Sequence, residues 1–242
     1  MAKSVDNPSS ASLRPFAPRP SLCGRRWCRK ENETPQTPWL RVRWGGHASA
    51  AQRYARLVAV DVSQIDQDLT RILFSPEKIE ARMVELAAEI DRDYAGKDPL
   101  LVGVLNGAVM VMADLSRALT IHCRMDWMAI SSYGSGTKSS GVVRILKDLS
   151  TDISGMDVLV VEDIVDTGLT LSYLISNLMS RGPASLKVLT ALRKPEAQRV
   201  AVDVAYVGFD IPNEFVVGYG LDYNGHYRNL TSVGTLSPHV YS

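Results

Sequence analysis

The stretch from Val158 to Leu171 reads VLVVEDIVDTGLTL, and it decides the fold. Its first four residues are aliphatic, which is typical of a strand covered on both faces in a parallel sheet. Glu162 and Asp163 follow, and two adjacent carboxylates are costly to bury without partners. We therefore expect both acids at the open carboxyl end of a central strand, where open α/β sheets bind their ligands.

A small hydroxyl-rich turn, Thr167–Thr170, follows the acids and predicts the start of a helix. Apolar residues at helical spacing continue that helix to about Arg181-Gly182-Pro183, where glycine and proline end it. Backbone N–H groups at a helix N-terminus bind anions, and Gly168 permits a close approach. We interpret the turn as a cradle for a terminal phosphate, beside acids that can accept hydrogen bonds from ribose hydroxyls and help to hold hydrated Mg²⁺.

The aliphatic run, Glu162-Asp163, Asp166 and the Thr-Gly-x-Thr turn resemble the signature of the type I phosphoribosyltransferases in order and spacing. The resemblance implies that family's α/β fold, a mostly parallel central sheet flanked by helices with a small hood formed by N- and C-terminal segments. It also implies phosphoribosyl pyrophosphate as ligand, Mg²⁺ as cofactor, and Asp166 as the catalytic residue that accepts or shares the purine N7 proton. The alternative is a solvated acidic loop on a sheet that binds no nucleotide.

The segment Phe215–Leu230, FVVGYGLDYNGHYRNL, resembles the C-terminal region of the hypoxanthine-guanine branch of this family, as does Val207–Pro212 before it. The resemblance implies that Phe215 stacks on a purine, that backbone groups of Val216 read its edge, and that Lys194 donates to O6. A cationic donor beside a carbonyl oxygen selects an oxo over an amino purine. From Phe-Val-Val alone, a core strand is the alternative.

Two charged residues of the same segment complete the set that the resemblance implies. Asp222 would bind a second Mg²⁺ through water, and Arg228 would hold the pyrophosphate. The metal residues implied are Glu162, Asp163 and Asp222, and the purine-binding residues are Lys194, Phe215, Val216 and Asp222.

Two further loops match the family. Leu105, Asn106 and Gly107 follow an apolar strand and correspond to the pyrophosphate loop, where an often cis peptide presents backbone N–H groups; the family commonly has Lys or Arg at Asn106, so only a backbone role is carried over. Ser132-Tyr133 opens a glycine-rich segment that corresponds to a flexible flap, with an idle surface hairpin as the alternative. The implied contacts to phosphoribosyl pyrophosphate are Leu105, Asn106, Gly107, Ser132, Tyr133, Glu162, Asp163, Asp166, Thr167, Gly168, Leu169, Thr170 and Arg228.

Charge divides the chain near residue 60. Residues 1–60 carry eleven Lys or Arg against three acids, a net of +8, whereas the rest carries 16 basic and 23 acidic residues, a net of −7. The first part is rich in Pro, Ser and Arg and lacks apolar periodicity, so we predict a basic, disordered extension over 1–60 and a phosphoribosyltransferase domain over 61–242. A transit peptide, a nucleic-acid tail or codons upstream of the true start would also explain the extension.

The rest of the domain predicts alternating strands and helices. Helices are expected over Asp66–Ile72, after Ser75-Pro76 with the buried stripe Ile79, Met83, Leu86 and Ile90, and over Ala108–Leu119. Strands are expected near Leu100–Leu105, Asp126–Ser131, Val158–Val161, Leu186–Leu192 and Val204–Gly208.

Several classes of protein fit the sequence poorly. A dehydrogenase would need G-x-G-x-x-G after its first strand, which is absent after Gly103. Membrane-length and signal segments are absent from the sequence, and the domain is net negative, so we expect a cytoplasmic enzyme without membrane or nucleic-acid partners. We expect hypoxanthine, guanine and phosphoribosyl pyrophosphate as ligands and a homodimer or homotetramer. A phosphoribosyl-pyrophosphate-sensing regulator and a transferase that prefers xanthine are the alternatives.

Overall fold

The structure is a computed structural model that describes residues 67–132 and 143–241. The predicted domain boundary near residue 60 and the Tyr133 segment lie outside these residues, so both stay predictions. In the described part, nine strands and four helices follow one another. They are β1 (Leu69–Phe74), α1 (Pro76–Asp93), β2 (Leu100–Leu105), α2 (Val109–Ala118), β3 (Arg124–Ser132), β4 (Val143–Lys147), β5 (Asp157–Val165), α3 (Leu169–Met179), β6 (Ser185–Arg193), β7 (Tyr206–Asp210), β8 (Val216–Val217), β9 (Val233–Leu236) and α4 (Pro238–Tyr241).

The larger sheet of the described residues has the strand order β4-β3-β2-β5-β6-β7. All its pairings are parallel except that of β4 with β3. Strand β5 lies between β2 and β6, and residues 158–162 are buried without interruption. The aliphatic run is therefore a central strand covered on both faces, as predicted.

The smaller sheet has the order β1-β9-β8 and is antiparallel. It joins the N-terminal part of the described chain to its C-terminal part, which confirms the hood. The predicted helix over Asp66–Ile72 is wrong, because Leu69 pairs with Leu236 in this sheet. A pairing partner so distant in sequence leaves no local signal in a short apolar segment.

Helix α1 begins as predicted. Ser75 accepts a hydrogen bond from the N–H of Lys78 at 3.4 Å, and Pro76 occupies the first turn. The predicted stripe Ile79, Met83, Leu86 and Ile90 is buried in one core cluster with residues of α2 and the sheet. Helix α3 ends at Met179, slightly before the predicted end. No helix in the described ranges is long and apolar enough to cross a membrane.

Candidate active site

A cavity of about 420 Å³ opens where β2 and β5 end and α3 begins. Of the residues predicted for the site, Leu169, Lys194, Phe215 and Val216 are described but lie outside its lining. Tyr133 and the side chain of Ser132 fall outside the described part of the chain, so their predicted role stays a prediction. The predicted residues that line the cavity are Leu105, Asn106, Gly107, Glu162, Asp163, Asp166, Thr167, Gly168, Thr170, Asp222 and Arg228.

The acidic pair lies within β5, because this strand continues to Val165. Glu162 lines the cavity at this end of the sheet, yet it exposes only 6% of its surface, so the acid is buried within the strand and does not lie beyond the strand's end. Burial and the neighbouring Asp163 carboxylate raise the pKa of Glu162 well above its ordinary value. Burial also raises the pKa of Asp163, to about 6, although the N–H of Ile164 donates to its carboxylate at 2.7 Å. Both shifts favour a cationic or hydroxyl-rich ligand, which would stabilise the charged forms.

The Leu105–Gly107 loop packs directly against Asp163. The peptide bond between Leu105 and Asn106 is cis, as the resemblance implied. A methyl group added to Gly107 would collide with the carboxylate of Asp163, so only glycine fits at this position. Asn106 is exposed at the cavity, and the backbone N–H groups of the loop are its candidates for anion binding.

The predicted phosphate cradle is the N-terminal turn of α3. Gly168 precedes the helix with φ 80°, and a methyl group on it would collide with the carbonyl oxygen of Val200. The N–H groups of Arg199 and Val200 donate to the carbonyl oxygen of Thr167 at 3.0 and 3.2 Å and fix the turn. Gly168 has no side chain to cap the helix, and the N–H of Leu169 makes only a long hydrogen bond of 3.5 Å to the Thr167 hydroxyl, so an anion can bind the first N–H groups of the helix.

The C-terminal loop adds a charged pair to the cavity. Arg228 forms an ion pair with Oδ1 of Asp222 at 2.5 Å and donates a hydrogen bond to the carbonyl oxygen of Gly220 at 2.7 Å. The N–H of Gly225 donates to Oδ2 of Asp222 at 2.7 Å. The pair also acts on Asp163, because Arg228 lowers the pKa of that acid and Asp222 raises it, both less than burial does.

Lys194 and Asp166 come from separate segments and meet beside the end of the sheet. The N–H of Lys194 donates to the carbonyl oxygen of Val165 at 2.9 Å, which ties the residue after β6 to the end of β5. The Lys194 side chain is buried, and its ammonium nitrogen lies 3.7 Å from Oδ2 of the half-exposed Asp166. A donor beside an acceptor suits O6 and N7, which share one edge of a 6-oxopurine.

Val216 presents backbone groups at a sheet edge. The N–H of Leu236 donates to the carbonyl oxygen of Phe215 at 2.8 Å, and Val216 faces Thr235. In an antiparallel ladder this pattern makes Val216 and Thr235 a non-hydrogen-bonded pair, so the N–H and C=O of Val216 point away from β9. β8 is the outer strand of the smaller sheet in the described residues, so these groups face away from the sheet, although Val216 itself is buried in the core.

The Phe215 ring belongs to a cluster of three aromatic rings. It stacks on Tyr241 with centroids 5.2 Å apart and an interplanar angle of 28°. Tyr223 meets it edge-on at 5.7 Å. These two contacts fix the orientation of the ring that the resemblance assigns to purine stacking.

Residues 72–224 match the family model of the phosphoribosyl transferase domain. The chain belongs to the phosphoribosyltransferase family. It is 57% identical over 180 residues to the hypoxanthine-guanine phosphoribosyltransferase of Mycobacterium bovis, which covers 72% of this chain and 89% of that protein. The enzyme of the same name from Streptococcus thermophilus is 49% identical over 178 residues, with 74% and 99% covered. A crystal structure of a hypoxanthine phosphoribosyltransferase from Staphylococcus aureus aligns with a TM-score of 0.71 at 45% identity, with 74% and 97% covered.

A metal ion in the cavity of this phosphoribosyltransferase would have few protein ligands among the described residues. No three His, Cys, Asp or Glu side chains among the described residues form a group that could enclose a metal ion. Mg²⁺ at phosphate sites uses one or two carboxylates, waters and substrate oxygens, and Glu162 and Asp163 fit that demand because their charge is poorly compensated. Asp222 is already paired with Arg228 and accepts a hydrogen bond from the N–H of Gly225, so a bridging water suits it better than direct ligation.

Sequence reasoning missed the apolar wall of the phosphoribosyltransferase cavity and one glycine behind it. A methyl group on Gly220 would collide with the carbonyl oxygen of Gly107, so this backbone presses on the pyrophosphate loop. The Gly218-Tyr219-Gly220 pattern was a usable signal, because two glycines around one residue indicate a closely packed backbone. The apolar lining residues not predicted are Val104, Ile130, Ile164, Val165 and Leu171.

Proposed function

We propose that this chain is a hypoxanthine-guanine phosphoribosyltransferase of purine salvage. It transfers the 5-phosphoribosyl group from phosphoribosyl pyrophosphate to N9 of hypoxanthine or guanine, and it produces IMP or GMP and pyrophosphate. The observation that carries the proposal is the approach of Lys194 to Asp166 at 3.7 Å, beside a cavity lined by the buried Glu162, the partly buried Asp163 and a helix N-terminus. Relatives of that name at 57% and 49% identity support it.

The reaction separates charge, and the cavity offers groups for both sides. Breaking the bond between the anomeric carbon and pyrophosphate builds positive charge on the ribose and negative charge on the leaving group. Glu162 and Asp163 accept hydrogen bonds from the ribose hydroxyls. The Thr167–Thr170 turn holds the terminal phosphate, and Arg228 and the backbone of the Leu105–Gly107 loop hold the pyrophosphate. Fixing both ends of the sugar aligns the anomeric carbon with the purine nitrogen.

The purine is selected by hydrogen bonds and by stacking. Lys194 donates to O6, and the backbone of Val216 reads the edge of the ring. Phe215 stacks on its face. Asp166 takes or shares the N7 proton as N9 forms its bond to the ribose. Adenine would place an amino donor against the Lys194 ammonium, and we therefore expect it to be rejected.

Magnesium is the cofactor of this proposal, with Glu162, Asp163 and, through water, Asp222 as its protein contacts. When bound, it would neutralise pyrophosphate charge during departure. We also propose a homodimer or homotetramer that acts in the cytoplasm; light scattering after size exclusion tests the first statement, and fractionation of cells tests the second.

A panel of free bases tests the reaction. Purified protein with Mg²⁺ and phosphoribosyl pyrophosphate should convert hypoxanthine and guanine to nucleotides with release of pyrophosphate, and chelation of Mg²⁺ should stop it. Conversion of adenine or orotate alone would overturn the proposal, and a strong preference for xanthine would correct its substrate. Lys194→Gln should raise KM for hypoxanthine, whereas Lys97→Gln, at the opposite end of the sheet, should not.

A further inference from the structure

The segment Gly218–Asp222 connects β8 to the charged pair of the cavity, and its backbone is held from one side. The N–H of Tyr219 donates to the carbonyl oxygen of Leu230 at 2.9 Å, and that of Gly220 donates to the carbonyl oxygen of Arg228 at 3.0 Å. Arg228 returns a hydrogen bond to Gly220 at 2.7 Å. These bonds make Asp222 and Arg228 part of one unit with the segment, which we call the charged wall.

The Tyr219 side chain connects the charged wall to helix α2 by a hydrogen bond. The Tyr219 ring is 7% exposed, and its hydroxyl donates to Oδ2 of Asp114 at 2.9 Å. Asp114 lies in α2, which starts directly after the pyrophosphate loop. The Asp114 carboxylate also forms an ion pair with Arg117. Tyr219 adopts φ 50°, a left-handed conformation that is unusual for a residue with a side chain. The backbone is therefore shaped so that this ring reaches α2.

The same segment touches the pyrophosphate loop. Gly220 lies so close to the carbonyl oxygen of Gly107 that a methyl group would not fit, and Gly107 has the same relation to the Asp163 carboxylate. The order of contacts is therefore the charged wall, the loop and then the acid pair. The hydrogen bond that holds the charged wall to α2 therefore also holds the wall against the pyrophosphate loop, and through that loop against Asp163.

We propose that Tyr219 and Asp114 are positioning residues: their hydrogen bond sets the distance between the charged wall and the pyrophosphate loop, and so the affinity for phosphoribosyl pyrophosphate. This inference rests on the proposed function, in which both parts hold that ligand. Neither residue lines the cavity, so they act through Gly107, Asp222 and Arg228.

Strand β8, which carries Val216, is held by hydrogen bonds other than that between Tyr219 and Asp114. Val216 and Val217 pair with Thr235 and Gly234 of β9, and Gly218 bends the chain immediately afterwards with φ 96°. A shift of the charged wall can be absorbed at that bend. Loss of the Tyr219 hydroxyl should therefore change the contacts of phosphoribosyl pyrophosphate and leave those of the base.

The test removes the hydroxyl and its acceptor separately. Tyr219→Phe and Asp114→Ala should each weaken binding of phosphoribosyl pyrophosphate with Mg²⁺ about three- to tenfold, measured by titration calorimetry without a base. KM for hypoxanthine should change less than about twofold. Asp114→Asn keeps an acceptor oxygen and should stay close to wild type. The double variant Tyr219→Phe/Asp114→Ala should bind no more weakly than the weaker single variant, because both remove the same bond.

Tyr206→Phe is the matched control. Tyr206 donates to Asp93 at 2.5 Å, at the end of the sheet opposite the cavity. Its loss should lower thermal stability without changing either ligand constant. The proposal is overturned if Tyr219→Phe leaves binding of phosphoribosyl pyrophosphate unchanged, as this control does. It is also overturned if the dissociation constant of phosphoribosyl pyrophosphate and KM for hypoxanthine rise together. Because binding is measured without a base, a wild-type protein that binds phosphoribosyl pyrophosphate yet converts no 6-oxopurine would overturn the proposed function alone.

Discussion

Strand β5 carries acids at both ends, and the protein treats the two ends in opposite ways. At its first residue, Asp157 accepts hydrogen bonds from the Ser185 hydroxyl and, at 3.0 Å, from the Lys97 ammonium. These contacts hold the pKa of Asp157 below its ordinary value. Further along the same strand, burial raises the pKa of Glu162 and Asp163. One end therefore favours the charged carboxylate, and the other end penalises it.

This difference separates the stabilising end of the sheet from the functional end. Asp93 repeats the first pattern, because hydrogen bonds from Lys187 and Tyr206 lower its pKa at the same end as Asp157. At the cavity end, a raised pKa means that the ligand-free fold disfavours the ionised form. We infer that ligands supply the partners that the protein withholds there.

The largest expected effect comes from the acid that we assign to the chemistry. Asp166→Asn should lower turnover by about 10² to 10⁴, because an amide cannot take the N7 proton, while binding of phosphoribosyl pyrophosphate is largely kept. Single-turnover kinetics and ligand titration measure the two quantities. Asp157→Asn makes the same substitution at the other end and should keep normal turnover. Near-normal turnover of Asp166→Asn would remove it from the mechanism.

Two glycine variants distinguish the effect of a steric collision in the site from the effect of backbone strain alone. Gly107→Ala places a methyl group against Asp163, and a displaced reacting group can lower activity by about 10²-fold. Gly96→Ala meets no atom within 4 Å but keeps φ 76°, so it should reduce stability by about 1 kcal/mol and leave activity intact. Initial rates and thermal unfolding of both proteins give the comparison. Full activity in Gly107→Ala would show that the Asp163 carboxylate does not need its present position.

The two ends of β5 should also differ in how pH affects stability. The folded-state pKa values of Glu162 and Asp163 are raised, so the folded protein is most stable at low pH, where both acids are neutral. It loses stability as the pH rises, through about 6 for Asp163. The double variant Glu162→Gln/Asp163→Asn should not lose this stability, because its amide side chains do not ionise. Without ligands at neutral pH, its melting temperature should exceed that of wild type by about 2–4 °C, although it has lost activity.

Asp157→Asn should show the opposite sign. The folded-state pKa of Asp157 is lowered, so its stabilisation is present above about pH 4 and is lost as pH falls. The variant should melt below wild type at neutral pH, and the gap should close in acid. Unfolding curves between about pH 2 and pH 8 in a chelator test both variants, because the gap for Asp157→Asn closes only below about pH 4. Equal pH profiles for the two ends would contradict the comparison.

The sequence predicted those parts of the fold whose signals are local. The aliphatic run of β5 predicted burial on both faces of that strand, and Ser75-Pro76 predicted the start of a helix. The strand β1 was not predicted, since its partner Leu236 lies far along the chain. Burial of Glu162 was missed because the strand does not stop at the acids, and Ile164-Val165 after them was the available signal.

The site divides in the same way. Asp166 and Lys194 were assigned from motifs, but their 3.7 Å approach depends on the parallel pairing of β5 with β6. The bond from Tyr219 to Asp114 had no sequence signal, because it joins residues 105 positions apart. Motifs identify the residues that carry chemistry, whereas the contacts that set their distances arise from tertiary packing.

The smallest effect is expected from removing the first 55 or so residues. That extension carries most of the net charge of +8 of residues 1–60, so its arginines would be natural partners for the cavity acids if it docked there. We expect no docking, because a segment without a periodic apolar face gains little from ordering. Full-length and truncated protein should therefore have the same melting temperature, the same pH profile of unfolding and the same initial rates with hypoxanthine at matched Mg²⁺.

A truncated protein that loses stability or rate would show that the extension belongs to the fold. A change confined to the pH profile near 6 would show that its basic residues partner Asp163, and the contrast between the two ends of β5 would then hold only for the truncated chain.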